Sequence, residues 1–164
     1  MIIYATGFDA IAGAFDRIDI RGRGGLRLKD KWADGPRTYL GLQIAGFPNM
    51  LTLVGPHNAA TFCNIPRCIE QNVEWVTDLL RYMGEQGHTR VEASEAAEEA
   101  WTQHVYDSAA RLLLLEVDSW MTGINRNVPG RRKRTFMAYA GGAPKYREKC
   151  DEVAASGYDG FILR

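Results

Sequence analysis

The stretch from Asn64 to Gly87 has the fewest structural options in this sequence. Asn64 can cap a helix, Pro66 suits a first helical turn, and Ile65, Ile69, Val73, Val76, Leu80 and Met83 recur at helical spacing as one apolar stripe. Gly84 and Gly87 offer exits. Immediately upstream, Met50-Leu51-Thr52-Leu53-Val54 reads as a continuous buried strand stopped by Gly55-Pro56. Strand, turn and long capped helix in that order point to an α/β fold rather than to a bundle or a sandwich.

The rest of the chain fits this class. Ile2-Ile3-Tyr4-Ala5 is a β-branched run expected to form a buried strand ended by Gly7. Ile18–Arg21 and Leu26–Leu28 alternate around Gly22-Arg23-Gly24-Gly25, the pattern of a hairpin. A second helix is expected to start at Ser94, with Glu95, Glu98 and Glu99 at its positive end, Trp101, Val105 and Leu112 on its inner face, and Arg111 near its close. Pro144–Ala155 reads as a third helix and Phe161-Ile162-Leu163 as a last strand. A fully apolar strand at residue 1 needs partners on both edges and cover on both faces, so the chain is expected to be cut from a longer sequence.

Composition excludes several classes. The 164 residues are 46% hydrophobic and 24% charged, which rules out wholesale disorder and fibrous repeats. The longest apolar runs, Met1–Ala5 and Phe136–Ala140 at five residues each, are far short of the ~20 residues of a membrane span, and no export signal is read in the first residues. Three cysteines, Cys63, Cys68 and Cys150, are expected as reduced thiols in a cytoplasmic protein. The zero net charge hides segregation: residues 65–120 hold eleven acids and four bases, and residues 126–149 hold eight bases and one acid. This reads as internal complementarity rather than nucleic-acid binding; attraction of an anionic cofactor is the other use of the basic block.

No self-contained catalytic or metal motif is present. His57, Cys63 and Cys68 lack the paired spacing of a zinc site, and Gly-x-Ser-x-Gly is absent. His88 and His104 read as surface residues. Gly22–Gly25 joins two short strands instead of opening a helix, so it is a turn and not a phosphate cradle. Gly-x-Gly-x-x-Gly occurs nowhere.

Three ordered segments nevertheless carry a resemblance. They are Ile2-Ile3-Tyr4-Ala5-Thr6-Gly7-Phe8; Gly55-Pro56 leading through Asn64 to Ile69-Glu70-Gln71-Asn72-Val73-Glu74-Trp75; and Ser119-Trp120-Met121-Thr122-Gly123 with Asn127-Val128-Pro129-Gly130 and Tyr139-Ala140-Gly141-Gly142. Tyr39-Leu40-Gly41 and Phe47-Pro48-Asn49 fall between them in order. The chain resembles, over essentially all its length, the C-terminal part of Baeyer–Villiger monooxygenases of the cyclohexanone and phenylacetone type. The resemblance implies residues 1–164 of an incomplete FAD-binding domain within a two-dinucleotide-binding-domain flavoprotein, with a NADP-facing loop at about 117–135.

It also implies the chemistry: FAD, NADPH and O2 together place one oxygen atom into a ketone, giving an ester or lactone. Cofactor contacts fall on Thr6, Gly7, Gly55, Pro56, Asn64, Ile65 and Trp120, and a ketone pocket on Ala60, Thr61, Phe62 and Ile65. Amide groups at the start of the Asn64 helix would face the electron-rich edge of the flavin. Trp120 is either the tryptophan of a mobile cofactor loop or a core residue, and Arg126 with Arg131–Arg134 either attracts a phosphate-bearing cofactor or forms a solvated loop face. The loop from Gly123 to Asn127 is about two residues longer than the usual pattern, so which asparagine corresponds is open. No catalytic residue is assigned: both phosphate loops and the catalytic arginine of such enzymes belong upstream. The isolated chain is therefore expected to be inactive. The alternative is a non-catalytic binding or assembly subunit descended from this region.

Overall fold

The computed structural model describes residues 1–4, 9–125 and 133–164, with the side chains of residues 60 and 61 outside the description. Among the described residues, two single-turn helices come first, α1 (Gly13–Asp16) and α2 (Leu28–Lys31). The long helix α3 (Ile65–Gln86) follows, then β1 (Val91–Ala93), α4 (Glu95–Ala109), α5 (Ala143–Ala155) and β2 (Phe161–Leu163). β1 and β2 pair antiparallel, with Val91 opposite Leu163 and Ala93 opposite Phe161. No described helix is long and apolar enough to cross a membrane.

Helix ends form where the local chemistry dictates. The Asn64 side chain accepts from the Arg67 N–H, Pro66 sits in the first turn, and Gly87 closes α3 in the left-handed conformation (φ 72°). Ser94 caps α4 by accepting from the Ala97 N–H, and Pro144 lies in the first turn of α5.

One core joins the long elements. Trp75, Leu79 and Met83 of α3, Trp101 and Val105 of α4, and Tyr146 and Val153 of α5 pack with Tyr39, Leu40, Leu42, Phe136 and Tyr139 from the connecting segments. Trp101 stacks on Tyr139 at 5.2 Å between ring centroids, and the Trp75 indole N–H donates to the Cys150 carbonyl at 2.8 Å. A second cluster, Leu28, Trp32, Ile44 and Phe47, is held to the first by two buried glutamates. Glu98 accepts from the Ala45 N–H and from Lys31, and Glu92 accepts from the Gly46 N–H while pairing with Arg23 and Arg90.

Five expectations are corrected. Residues 1–4 form no strand; Ile2, Ile3 and Tyr4 are exposed without a partner strand, and Ala5 lies outside the described residues. The hairpin reduces to one antiparallel bridge, Arg21 with Arg27, because a 3-10 turn fills Arg23–Gly25 and Leu28 already starts α2. Met50–Val54 is not a strand: only Leu51 bridges to Gln43, and Val54 turns left-handed at φ 56°. The stripe Ile65, Ile69, Val73 and Leu80 is exposed, while α3 buries Cys68, Asn72, Trp75, Leu79 and Met83. This helix is apolar on two faces, and periodicity alone does not say which face turns inward. Finally, Cys63 and Cys68 are joined in a disulfide, and only Cys150 is free, in the core.

Candidate functional site

The centre of the site is the tight turn from Thr52 to Asn58, which delivers the chain to the start of α3. Val54 (φ 56°) and His57 (φ 68°) both adopt the left-handed conformation, costing of order 1–3 kcal/mol each for residues with a Cβ. Such strain persists only where neighbours over-determine the backbone, and they do so here. The Thr52 N–H donates to Leu42 at 2.8 Å, and its hydroxyl donates to the Gly41 carbonyl at 3.0 Å. The Thr38 hydroxyl bonds the Pro56 carbonyl at 3.2 Å. Gly55 has no room for a side chain, since a Cβ would lie 2.6 Å from Thr52 Oγ1 and 2.7 Å from the Gly41 oxygen.

His57 is wholly buried, its ring edge-on to Tyr106 and its Nδ1 3.4 Å from the Thr38 hydroxyl. Burial holds its pKa down to about 4, with the nearby Arg37 charge acting in the same direction, so the imidazole is neutral at physiological pH. Asn58 reaches inward to Asn72 on α3 and Tyr146 on α5, at 2.8 and 2.7 Å. Neither Asn72 nor Tyr146 stood out in the sequence; the available signal was a polar residue spaced four from Cys68 and three from Trp75.

From Asn58 a short 3-10 turn, Ala59–Phe62, leads to Asn64. Phe62 and Ile65 flank the opening of α3 and stand 45% and 52% exposed. The electropositive end of a 22-residue helix therefore opens onto surface between two uncovered apolar side chains. Such a mouth suits a group of negative polarity set beside an apolar surface. Of the sequence-derived site residues, Gly55, Pro56, Phe62, Asn64 and Ile65 come together in this one region. Ala60 and Thr61 belong to it by backbone, and Thr6 and Gly7 lie outside the described residues.

Trp120 occupies a second turn. The Ser119 hydroxyl accepts from the Met121 N–H, and the Thr122 hydroxyl accepts from the Ser119 N–H, which fixes the 3-10 turn Trp120–Thr122. The indole is 46% exposed, so the reading of Trp120 as a core residue is set aside. Residues 135–139 connect the two turns: the N–H groups of Thr135 and Met137 donate to Thr122 and Met121, while the Met137 carbonyl accepts from His57 and the Tyr139 N–H donates to Asn58. Just before this segment, Lys133 pairs with Asp34 and Arg134 with Asp118, each within 2.8 Å; Arg126, Arg131 and Arg132 lie outside the described residues.

No protein-family profile matches the chain. Over 163 residues it is 48% identical to the 2-oxo-Δ3-4,5,5-trimethylcyclopentenylacetyl-CoA monooxygenase of Pseudomonas putida, covering 99% of this chain and 30% of that protein. It is 40% identical over 164 residues to the cyclohexanone 1,2-monooxygenase of an Acinetobacter species, covering 29% of it. Among solved structures it superposes on OTEMO in complex with FAD and NADP with a TM-score of 0.90 at 47% identity, and on a closed cyclohexanone monooxygenase with 0.90 at 40% identity. Each superposition covers 98% of this chain and 29% of the other. The chain thus spans about three-tenths of the length of the relatives it matches.

Proposed function

Starting from its homology to one segment of the Baeyer–Villiger monooxygenases, we propose that this chain is the C-terminal part of such an enzyme, completing its FAD-binding domain and one wall of its ketone pocket. The whole enzyme would take a ketone, O2 and NADPH in the cytoplasm and release an ester or lactone. FAD supplies the oxygen activation when bound, and the protein supplies position, electrostatics and exclusion of water. The carrying observation is an uncovered surface: the open start of α3 continues into the exposed apolar face Ile65, Ile69 and Val73. In this reading that surface is one side of a binding site whose other side belongs to the rest of the enzyme.

Each part of the chain has a task in this reading. The strained turn at Gly55-Pro56 and the cap at Asn64 fix where the first amides of α3 point, toward the pyrimidine edge of the flavin. The resemblance also assigns cofactor contact to Thr6 and Gly7. Ala60, Thr61, Phe62 and Ile65 line the ketone side, where small and apolar side chains suit an apolar carbonyl compound. The half-exposed indole of Trp120 offers its N–H to the nicotinamide cofactor from a turn registered to residues 135–139. The phosphates of both cofactors are left to the complementary portion, since this chain has no Gly-x-Gly-x-x-Gly loop.

The test is complementation. The chain is co-expressed with the remaining seven-tenths of the Pseudomonas putida relative, and the pair is assayed for ketone-dependent NADPH consumption and for ester by mass spectrometry. Ester formed only when both pieces are present supports the reading; a stable complex that consumes no NADPH with any of a panel of cyclic and linear ketones contradicts it.

A further inference from the structure

Two turns into α3, on the face that turns inward, lies a carboxamide with no solvent contact. Asn72 Oδ1 accepts from the Val54 N–H at 3.0 Å and from Asn58 Nδ2 at 2.8 Å. These two residues bracket Gly55, Pro56 and His57, so one oxygen atom holds both ends of the strained turn. The Asn58 amide is shared with the Tyr146 hydroxyl at 2.7 Å, which donates onward to the Leu40 carbonyl at 2.7 Å. Asn72 Nδ2 donates to Gln71 Oε1 at 2.8 Å. The network therefore ties α3, α5, the Leu40 turn and the Val54–Asn58 turn together inside the core.

We infer that Asn72, supported by Tyr146, is a positioning residue that sets the placement of the Val54–Asn58 turn relative to the start of α3. Resting on the function proposed above, it thereby sets how the flavin-facing backbone is presented. Its chemistry fits the task. Both partners of Oδ1 are donors, so an acceptor with two lone pairs is required, and a neutral amide supplies them without burying a charge. The strain at Val54 and His57 means that the turn relaxes elsewhere once this acceptor is lost. Asn72 touches neither cofactor nor substrate in this reading and acts only through the turn.

Two readouts separate this inference from the functional reading. On the 164-residue chain, amide hydrogen exchange at Val54 reports the bond itself, whatever the enzyme does. Replacing Asn72→Leu is expected to speed that exchange at least tenfold relative to the Val105 amide in α4, about what one lost buried hydrogen bond allows. In the complemented enzyme, Asn72→Leu is expected to lower kcat roughly tenfold with KM for NADPH within about twofold, and to change the visible circular dichroism of the flavin. Tyr146→Phe, which keeps the core volume, is expected to shift the spectrum in the same direction as Asn72→Leu, with a smaller loss of kcat; it decides the matter if Asn72→Leu does not fold. Unchanged Val54 exchange in Asn72→Leu overturns the inference. So does a loss of thermal stability accompanied by a wild-type flavin spectrum and kcat in both Asn72→Leu and Tyr146→Phe.

Discussion

The backbone N–H of His57 donates to the carbonyl of Met137 at 2.9 Å, and through this bond the strained turn is registered to the segment that also holds the Trp120 turn. The Met137 N–H donates to Met121 at 2.9 Å, so a single residue links the two loops assigned to the flavin and to the nicotinamide cofactor. Their relative placement is thus tied by main-chain hydrogen bonds within this chain.

His57 makes stability depend on pH. Its folded pKa, about 4, lies below the ordinary 6.5, so the unfolded chain takes up a proton at higher pH than the folded one. The contribution is complete above pH 6.5 and is lost as pH falls toward 4, by about 3 kcal/mol at most. Urea unfolding at pH 7.5 and pH 5 should show a steeper fall for wild type than for His57→Gln. Parallel losses in the two proteins would remove His57 as the cause.

Gly55 has no space for a methyl group. Gly55→Ala is expected to destabilise the chain by roughly 2–4 kcal/mol, because the contacts at 2.6 and 2.7 Å involve a backbone oxygen and the hydroxyl that braces it. Thermal unfolding checks this, and a melting temperature within one or two degrees of wild type would show that the turn is loose.

The exposed stripe of α3 should behave as an interface. Ile69→Lys with Val73→Glu removes apolar surface that is already in water, so the isolated chain is expected to remain folded and become more soluble. The same pair of changes is expected to abolish capture of the complementary portion in a pull-down. Undiminished capture would place the interface elsewhere.

Trp120→Ala is expected to leave the stability of the chain within about 0.5 kcal/mol of wild type, since the indole is half in solvent. In the complemented enzyme it should impair NADPH use by roughly tenfold or more, while changes at Thr61, Phe62 or Ile65 should alter ketone preference instead. Steady-state kinetics over a ketone panel separates the two effects; identical relative rates in the pocket variants would refute the pocket assignment.

Much of the scaffold was legible in the sequence because its signals are local. Asn64, Pro66 and Gly87 mark the ends of α3, and Ser94 marks the start of α4, whatever surrounds them. The misread parts depend on partners. Met50–Val54 has strand composition, yet Thr52 is drawn to Gly41 and Leu42 and Val54 to Asn72, and these bonds turn the backbone left-handed at Val54. The inner face of α3 was misplaced by one residue because Trp75 and Leu79 alternate with Val76 and Leu80, and only the packing of Trp75 on Tyr158 and Cys150 decides between them. β1 was missed because three residues carry no period. The site region is proposed from the ordered resemblance, whereas Asn72, Tyr146 and Met137 emerged only when Val54, Asn58 and His57 were seen beside them.

The most direct measurement is the flavin content of the two-piece complex after gel filtration. Roughly one FAD per 164-residue chain, with a colourless eluate when either piece is omitted, is the result expected of a chain that forms one wall of the flavin site. A complex that contains this chain yet remains colourless in excess FAD would contradict that role.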